Sequence, residues 1–189
     1  MEDTKYCYKG SDILINKLDI RDGDRLKIAE KRLTMIRVLE LLDNPIEGNF
    51  DLENLRNIHR YIFQDIYEWA GEIRSIDISK ENMFCHAKFI RVQADEIFLK
   101  LKREHYLRGL DRDSFVKRLA YYFGEINALH PFREGNGRSQ REFIRALASK
   151  NGYVIHYDRI SAKQMISASI KSFFCNYCEM EELINNVLK

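Results

Sequence analysis

The twelve residues from His130 to Arg141, HPFREGNGRSQR, place an imidazole, a carboxylate, two glycines and two arginines within one short stretch. Each type suits one part of a phosphate-group transfer. Histidine titrates near neutrality, so His130 can take the proton of an attacking hydroxyl whose own pKa lies near ten or above. Glu134 is the one carboxylate of the stretch, and Mg²⁺ prefers one or two carboxylates with its other positions on phosphate and water oxygens. Gly135 and Gly137 leave room for a phosphate to approach the main chain, and Asn136 adds a polar side chain to the resulting nest of N–H groups. The residues that follow read as the start of a helix whose positive end adds to that field. Arg138 and Arg141, three apart on one helical face, offer planar forks for the outer phosphates. His130 and Glu134 also share the spacing of a zinc pair, but Pro131 and the glycines interrupt the continuous helix such a pair needs.

Helices must hold this stretch, because apolar periodicity along the chain is overwhelmingly helical and only two prolines interrupt it. Leu26, Ala29, Leu33, Ile36, Leu39 and Leu42 predict a first helix ending at Asp43-Asn44-Pro45. A second runs from about Leu52 through Leu55, Ile58, Ile62, Ile66 and Trp69 to Gly71. Ile73 to Cys85 loses that spacing around a polar turn at residues 79–82 and predicts a short β-hairpin, too short to stand alone. After a helix over about 87–104, an N-cap at Asp113 opens a helix carrying Phe115, Leu119, Tyr122, Ile126 and Leu129. The residue before a proline is pushed out of α geometry, so His130 falls where that helix ends, with Phe132 as a buried anchor for the loop. Phe143, Ile144, Leu147 and Ala148 continue helically to Asn151-Gly152, and two more helical patterns cover about 161–174 and 177–188. The expected fold is all-α: a compact helical bundle with a short β-hairpin flap beside the loop.

At 189 residues with 45% hydrophobic and 12% aromatic content, the chain is the size of a single domain with a filled core. Its 31 basic and 29 acidic residues leave a net charge of +2, which indicates no nucleic-acid footprint. No stretch has the length and apolarity of a signal peptide or a membrane span, so a cytoplasmic location is expected. The four cysteines read as free thiols; Cys175-Asn-Tyr-Cys178 has a metal or redox spacing, but nothing nearby completes a tetrahedral site. His59, His86, His105 and His156 read as structural, and Arg133 and Arg145 as solvated.

The stretch from His130 to Arg141 resembles the signature of the Fic family, His-Pro-Phe-x-Asp/Glu-Gly-Asn-Gly-Arg-x-x-Arg, at every defined position. The likeness extends to Ile58-His59-Arg60 and to the run from Asp65 to Arg74, covering roughly residues 50 to 150. It implies a Fic fold and transfer of AMP from ATP, with Mg²⁺, to a hydroxyl side chain of a target protein. By that resemblance the hairpin is a flap: Ile73, Arg74, Ser75, Ile76, Asp77 and Ile78 would dock an extended segment of the target by strand pairing.

Family members are commonly restrained by a helix with the pattern Ser/Thr-x-x-x-Glu-Gly/Asn, whose glutamate pairs with the last arginine of the signature. No glutamate here has Ser or Thr four residues before it; Glu47-Gly48-Asn49 comes nearest, with Asp43 at that position and Pro45 inside. The expectation is therefore a toxin-type chain whose inhibitor, a small antitoxin-like protein, supplies the glutamate for Arg141 in trans. Toxin-type relatives point to a bacterial topoisomerase subunit as target, by analogy alone. Doc-like kinase chemistry, transfer of phosphocholine or another nucleotide, and a silent nucleotide-binding module remain alternatives. Doc-like relatives carry a bulkier basic residue where this chain has Gly137.

Overall fold

The computed structural model describes residues 5–79 and 83–189. Among these the architecture is helical: α1 (Gly23–Asp43), α2 (Leu52–Phe63), α3 (Ile90–Arg103), α4 (Arg112–Leu129), α5 (Asn136–Lys150), α6 (Ala162–Phe173) and α7 (Cys178–Val187), with three single 3₁₀ turns between them. The central helix is α4, which packs against α3, α5, α6 and α7, while α5 also packs on α2 and α1 lies on α2. Phe115, Leu119, Tyr122, Ile126 and Leu129 of α4 are all buried, as their spacing requires. Phe143, Ile144, Leu147 and Ala148 of α5 meet them. No described helix is long and apolar enough to cross a membrane. Cys7, Cys85, Cys175 and Cys178 are free thiols.

Several boundaries and faces depart from the periodicity. The cap of α4 is Asp111, whose carboxylate accepts from the Ser114 N–H at 3.0 Å, and not Asp113. Helix α2 ends at Phe63 rather than Gly71, because residues 64–71 turn back so that the Gly71 N–H reaches the His59 ring at 2.8 Å. In α1 the predicted stripe is wrong: Leu26, Thr34 and Leu41 are buried, whereas Ile36, Leu39 and Leu42 are exposed. Apolar and charged residues alternate around that helix without separating into faces, so periodicity could not select its inner face. The expected hairpin is reduced, among the described residues, to one antiparallel bridge between Ser79 and Met83 and a Phe84 N–H bond to the Ile78 carbonyl. Its turn at Lys80, Glu81 and Asn82 lies outside the described residues.

Candidate functional site

The loop joining α4 to α5 is held by donors from three directions. His130 caps α4 in the left-handed region, φ 44°, its own N–H bonded to the Ile126 carbonyl. A non-glycine residue there stores strain and persists only when its surroundings over-determine it. Here they do: the Arg74 Nε–H donates to the His130 carbonyl at 2.8 Å and the Arg74 main-chain N–H to the Pro131 carbonyl at 2.9 Å. The Asn136 amide spans the turn, accepting from the Phe132 N–H and donating to the Phe132 carbonyl, both at 2.8 Å. His59 Nε2–H reaches the Glu134 carbonyl at 2.9 Å, and its ring stacks on buried Phe132 at 3.9 Å. Burial pushes the His59 imidazole down to about 3, so it is neutral.

With those carbonyls tied down, α5 begins at Asn136 on an uncapped turn. Gly135, φ +81°, is its N-cap, and no side chain caps it. A Cβ on Gly135 would lie 2.1 Å from Phe63 Cζ, so both backbone and space demand glycine. Gly137 is open by contrast, a Cβ there meeting only the end of Arg141 at 3.3 Å. The main-chain N–H groups of Asn136 and Gly137 have no intrahelical acceptor, because the carbonyls four residues before them precede the helix, whose first internal bonds run from Arg138 and Ser139 to the Gly135 carbonyl.

Above this turn lies a cleft of about 1100 Å³. Its floor is His130 with residues 134–137, one wall is the flap with Ile76, Ile78 and Phe84, and the other is α6 with Ile166, Ile170 and Phe173. The His130 ring lies parallel to Phe84 at 3.8 Å, and its Nδ1 faces the Asn127 carbonyl at 3.2 Å. A carbonyl accepts only, so the proton sits on Nδ1 and Nε2 is the basic nitrogen.

The carboxylate of Glu134 is on the cleft floor, 42% exposed, with one oxygen accepting the Gly135 N–H at 2.8 Å. Among the described residues no group of three His, Cys, Asp or Glu forms a metal cage. A single half-exposed carboxylate facing an anion-binding turn fits an ion that draws its other ligands from phosphate and water, as Mg²⁺ does.

The two arginines divide. Arg141 is largely buried, lowered by that burial and by Arg138, and no carboxylate pairs with it among the described residues. Arg138 is occupied: its guanidinium donates to Glu30 of α1 at 2.5 Å and to the Thr34 hydroxyl at 3.1 Å, and it lies over the Phe63 ring at 4.6 Å. Both forks are expected on phosphate; in this structure Arg138 faces α1.

Four further sequence expectations change. Asn136 ties the loop to itself and lends the nest only its main chain. Arg74 is not a docking residue: it is 1% exposed, and its guanidinium donates to the carbonyls of His130, Ile76 and Cys85. Burial lowers its pKa, yet three acceptors hold it. Asp77 faces back toward residues 86 and 87, accepting from the Ala87 N–H at 2.7 Å and meeting His86 Nδ1 at 2.8 Å. Of the flap residues, Ile73 packs on the core, and Ser75, which is exposed, lines the cleft together with Ile76, Asp77 and Ile78. Arg145 is not solvated but forks onto Glu142. His59, read as structural, is so: 59 is four after Leu55 and three before Ile62, on the buried face of α2, and its ring ties the loop to that helix.

The model of the family described as Fic/DOC matches residues 49–148. The Protein adenylyltransferase VbhT of Bartonella schoenbuchensis is 46% identical over 177 residues, 93% of this chain but only 37% of that protein's length. The Probable protein adenylyltransferase Fic of Escherichia coli is 41% identical over 82% of this chain and 77% of its own. Among solved structures, the BepC protein of Bartonella tribocorum with bound AMPPNP superposes with a TM-score of 0.91 at 26% identity, covering 98% of this chain and 97% of that one. The N-terminal Fic domain of a Bartonella quintana cell filamentation protein with bound ADP gives 0.92 at 28%, covering 98% and 95%. On the family match, the relatives and the shared fold together, the chain belongs to the Fic/DOC family.

Proposed function

We propose that the chain is a protein adenylyltransferase, transferring AMP from ATP to a Tyr, Ser or Thr hydroxyl of a target protein. The observation that carries this reading is the placement of His130, its proton fixed on Nδ1, on the floor of a cleft that also holds the open N-terminus of α5. Relatives named protein adenylyltransferase and solved Fic structures with bound AMPPNP and ADP support it.

The triphosphate lies along the turn, its oxygens on the N–H groups of Asn136 and Gly137, with Arg141 meeting the outer phosphates. Glu134 would hold Mg²⁺, which would supply neutralisation of phosphate charge. The target hydroxyl attacks the α-phosphorus, the bond from that phosphorus to the β-bridging oxygen breaks, pyrophosphate leaves, and His130 Nε2 takes the hydroxyl proton. Such a base contributes about 10²- to 10⁴-fold. Positioning and charge neutralisation supply the rest. Ile76 and Ile78, on the flap wall, bring the target segment over the floor.

Unrestrained transfer would harm a host cell, so we place the chain as the toxin of a pair, acting in the cytoplasm on an essential protein, a topoisomerase subunit being the first to test. A small antitoxin-like partner brings a carboxylate to Arg141. Support for that comes from the burial of Arg141 with no carboxylate paired to it among the described residues, and from the missing Ser/Thr-x-x-x-Glu pattern.

The chain is tested with Mg²⁺, bacterial lysate and ATP labelled at the α- or the γ-phosphate. Transfer of the α-label to a protein band is the expected result. Transfer of the γ-label alone would replace this reading with Doc-like kinase chemistry.

A further inference from the structure

Glu30 lies in α1, outside the segment 49–148 that defines the family match, yet it makes the shortest polar contact to a signature arginine, 2.5 Å to Arg138 Nη2. Its other oxygen accepts the Tyr67 hydroxyl, and its side chain is only 14% exposed. The same Arg138 Nη2 also faces Glu134, but at 3.5 Å. Two carboxylates thus compete for one nitrogen, and the one from α1 holds it.

We propose that Glu30 is a positioning residue that diverts Arg138 from Glu134 and so keeps the Glu134 carboxylate available for a divalent cation. Three contacts from α1 and α2 fix the diverted fork: Glu30, the Thr34 hydroxyl at 3.1 Å, and the Phe63 face at 4.6 Å. Phe63 in turn is the ring against which Gly135 closes, so the clamp also steadies the phosphate turn. Without Glu30 the guanidinium would sit buried beside one carboxylate only. A charge-assisted fork onto Glu134 would then form, because an uncompensated cation in a partly buried site is costly. That pair occupies the oxygen a Mg²⁺ ion needs. The proposal assigns α1 a part in the site, and it rests on the adenylyl-transfer reading only for the identity of the nucleotide.

The test measures binding without turnover. In the His130→Ala background, affinity for a non-hydrolysable ATP analogue is measured by calorimetry at a series of Mg²⁺ concentrations, with and without Glu30→Gln. The expected result is that Glu30→Gln raises the Mg²⁺ concentration for half-maximal binding roughly tenfold, while affinity in EDTA changes less. Adding Arg138→Ala should abolish most of that shift, since no fork remains to close on Glu134. An unchanged Mg²⁺ requirement, tighter binding in Glu30→Gln, or a shift that persists undiminished with Arg138→Ala would each overturn the proposal. Transfer activity of the unmutated chain is scored separately: its absence counts against adenylyl transfer, not against the clamp.

Discussion

The two glycines of the α4–α5 turn are required for different reasons, and single substitutions separate them. Gly135 has a left-handed backbone with Phe63 in the space of its missing side chain. Gly135→Ala is expected to lower stability by about 2 to 5 kcal/mol, read by chemical denaturation. Gly137 meets only Arg141, so Gly137→Ala should leave stability nearly unchanged and weaken nucleotide binding instead. Similar denaturation curves for the two variants would refute this division. His59 gives a pH prediction. Its folded pKa is about 3, whereas an unfolded histidine titrates near 6.5, so between those values the unfolded chain binds the extra proton. The His59 contribution is complete above about pH 6.5 and is lost as pH falls toward 3, at no more than about 1.4 kcal/mol per pH unit. His59→Gln keeps a donor and an acceptor without titrating, so its stability should decline less steeply between pH 6.5 and 4. Parallel pH profiles for the two proteins would contradict that role.

At the scale of elements, the flap and the loop form one unit joined by Arg74, whose guanidinium bonds to carbonyls on both. Lysine keeps the charge but cannot reach three carbonyls in one plane. Arg74→Lys is expected to cost about 3 kcal/mol of stability and to reduce transfer to a protein target more than it reduces nucleotide binding. Equal losses in both would show that the flap takes no separate part in docking. Such cross-links explain what the sequence could reveal. The loop between α4 and α5 was legible because its chemistry is local: His130 before Pro131, then Glu134 and the glycines. The face of α1 and the roles of Arg74 and Arg138 were not, because each depends on a partner 56 to 108 positions away. The hairpin was placed correctly but over-read, since Ile76 and Ile78 face a cleft rather than extend a ladder.

For the whole molecule, the cleft is assembled from the flap, the α4–α5 loop and α6, while Glu30 of α1 holds Arg138 of α5. A restraint in trans should act through Arg141. A peptide or partner protein that inhibits the wild-type chain should therefore lose most of its inhibition against Arg141→Ala at matched nucleotide occupancy, as measured by residual labelling. Full inhibition of that variant would place the restraint elsewhere. The central claim is that His130 takes a proton from a hydroxyl attacking the α-phosphorus of ATP bound at the glycine turn. Its most direct test compares wild type and His130→Ala for ATP binding by calorimetry and for the mass added to a modified target by mass spectrometry. The account predicts an added AMP on a Tyr, Ser or Thr with wild type, a loss of about 10²- to 10⁴-fold in His130→Ala, and the same ATP affinity in both. An added phosphate or phosphocholine, or full transfer by His130→Ala, would contradict it.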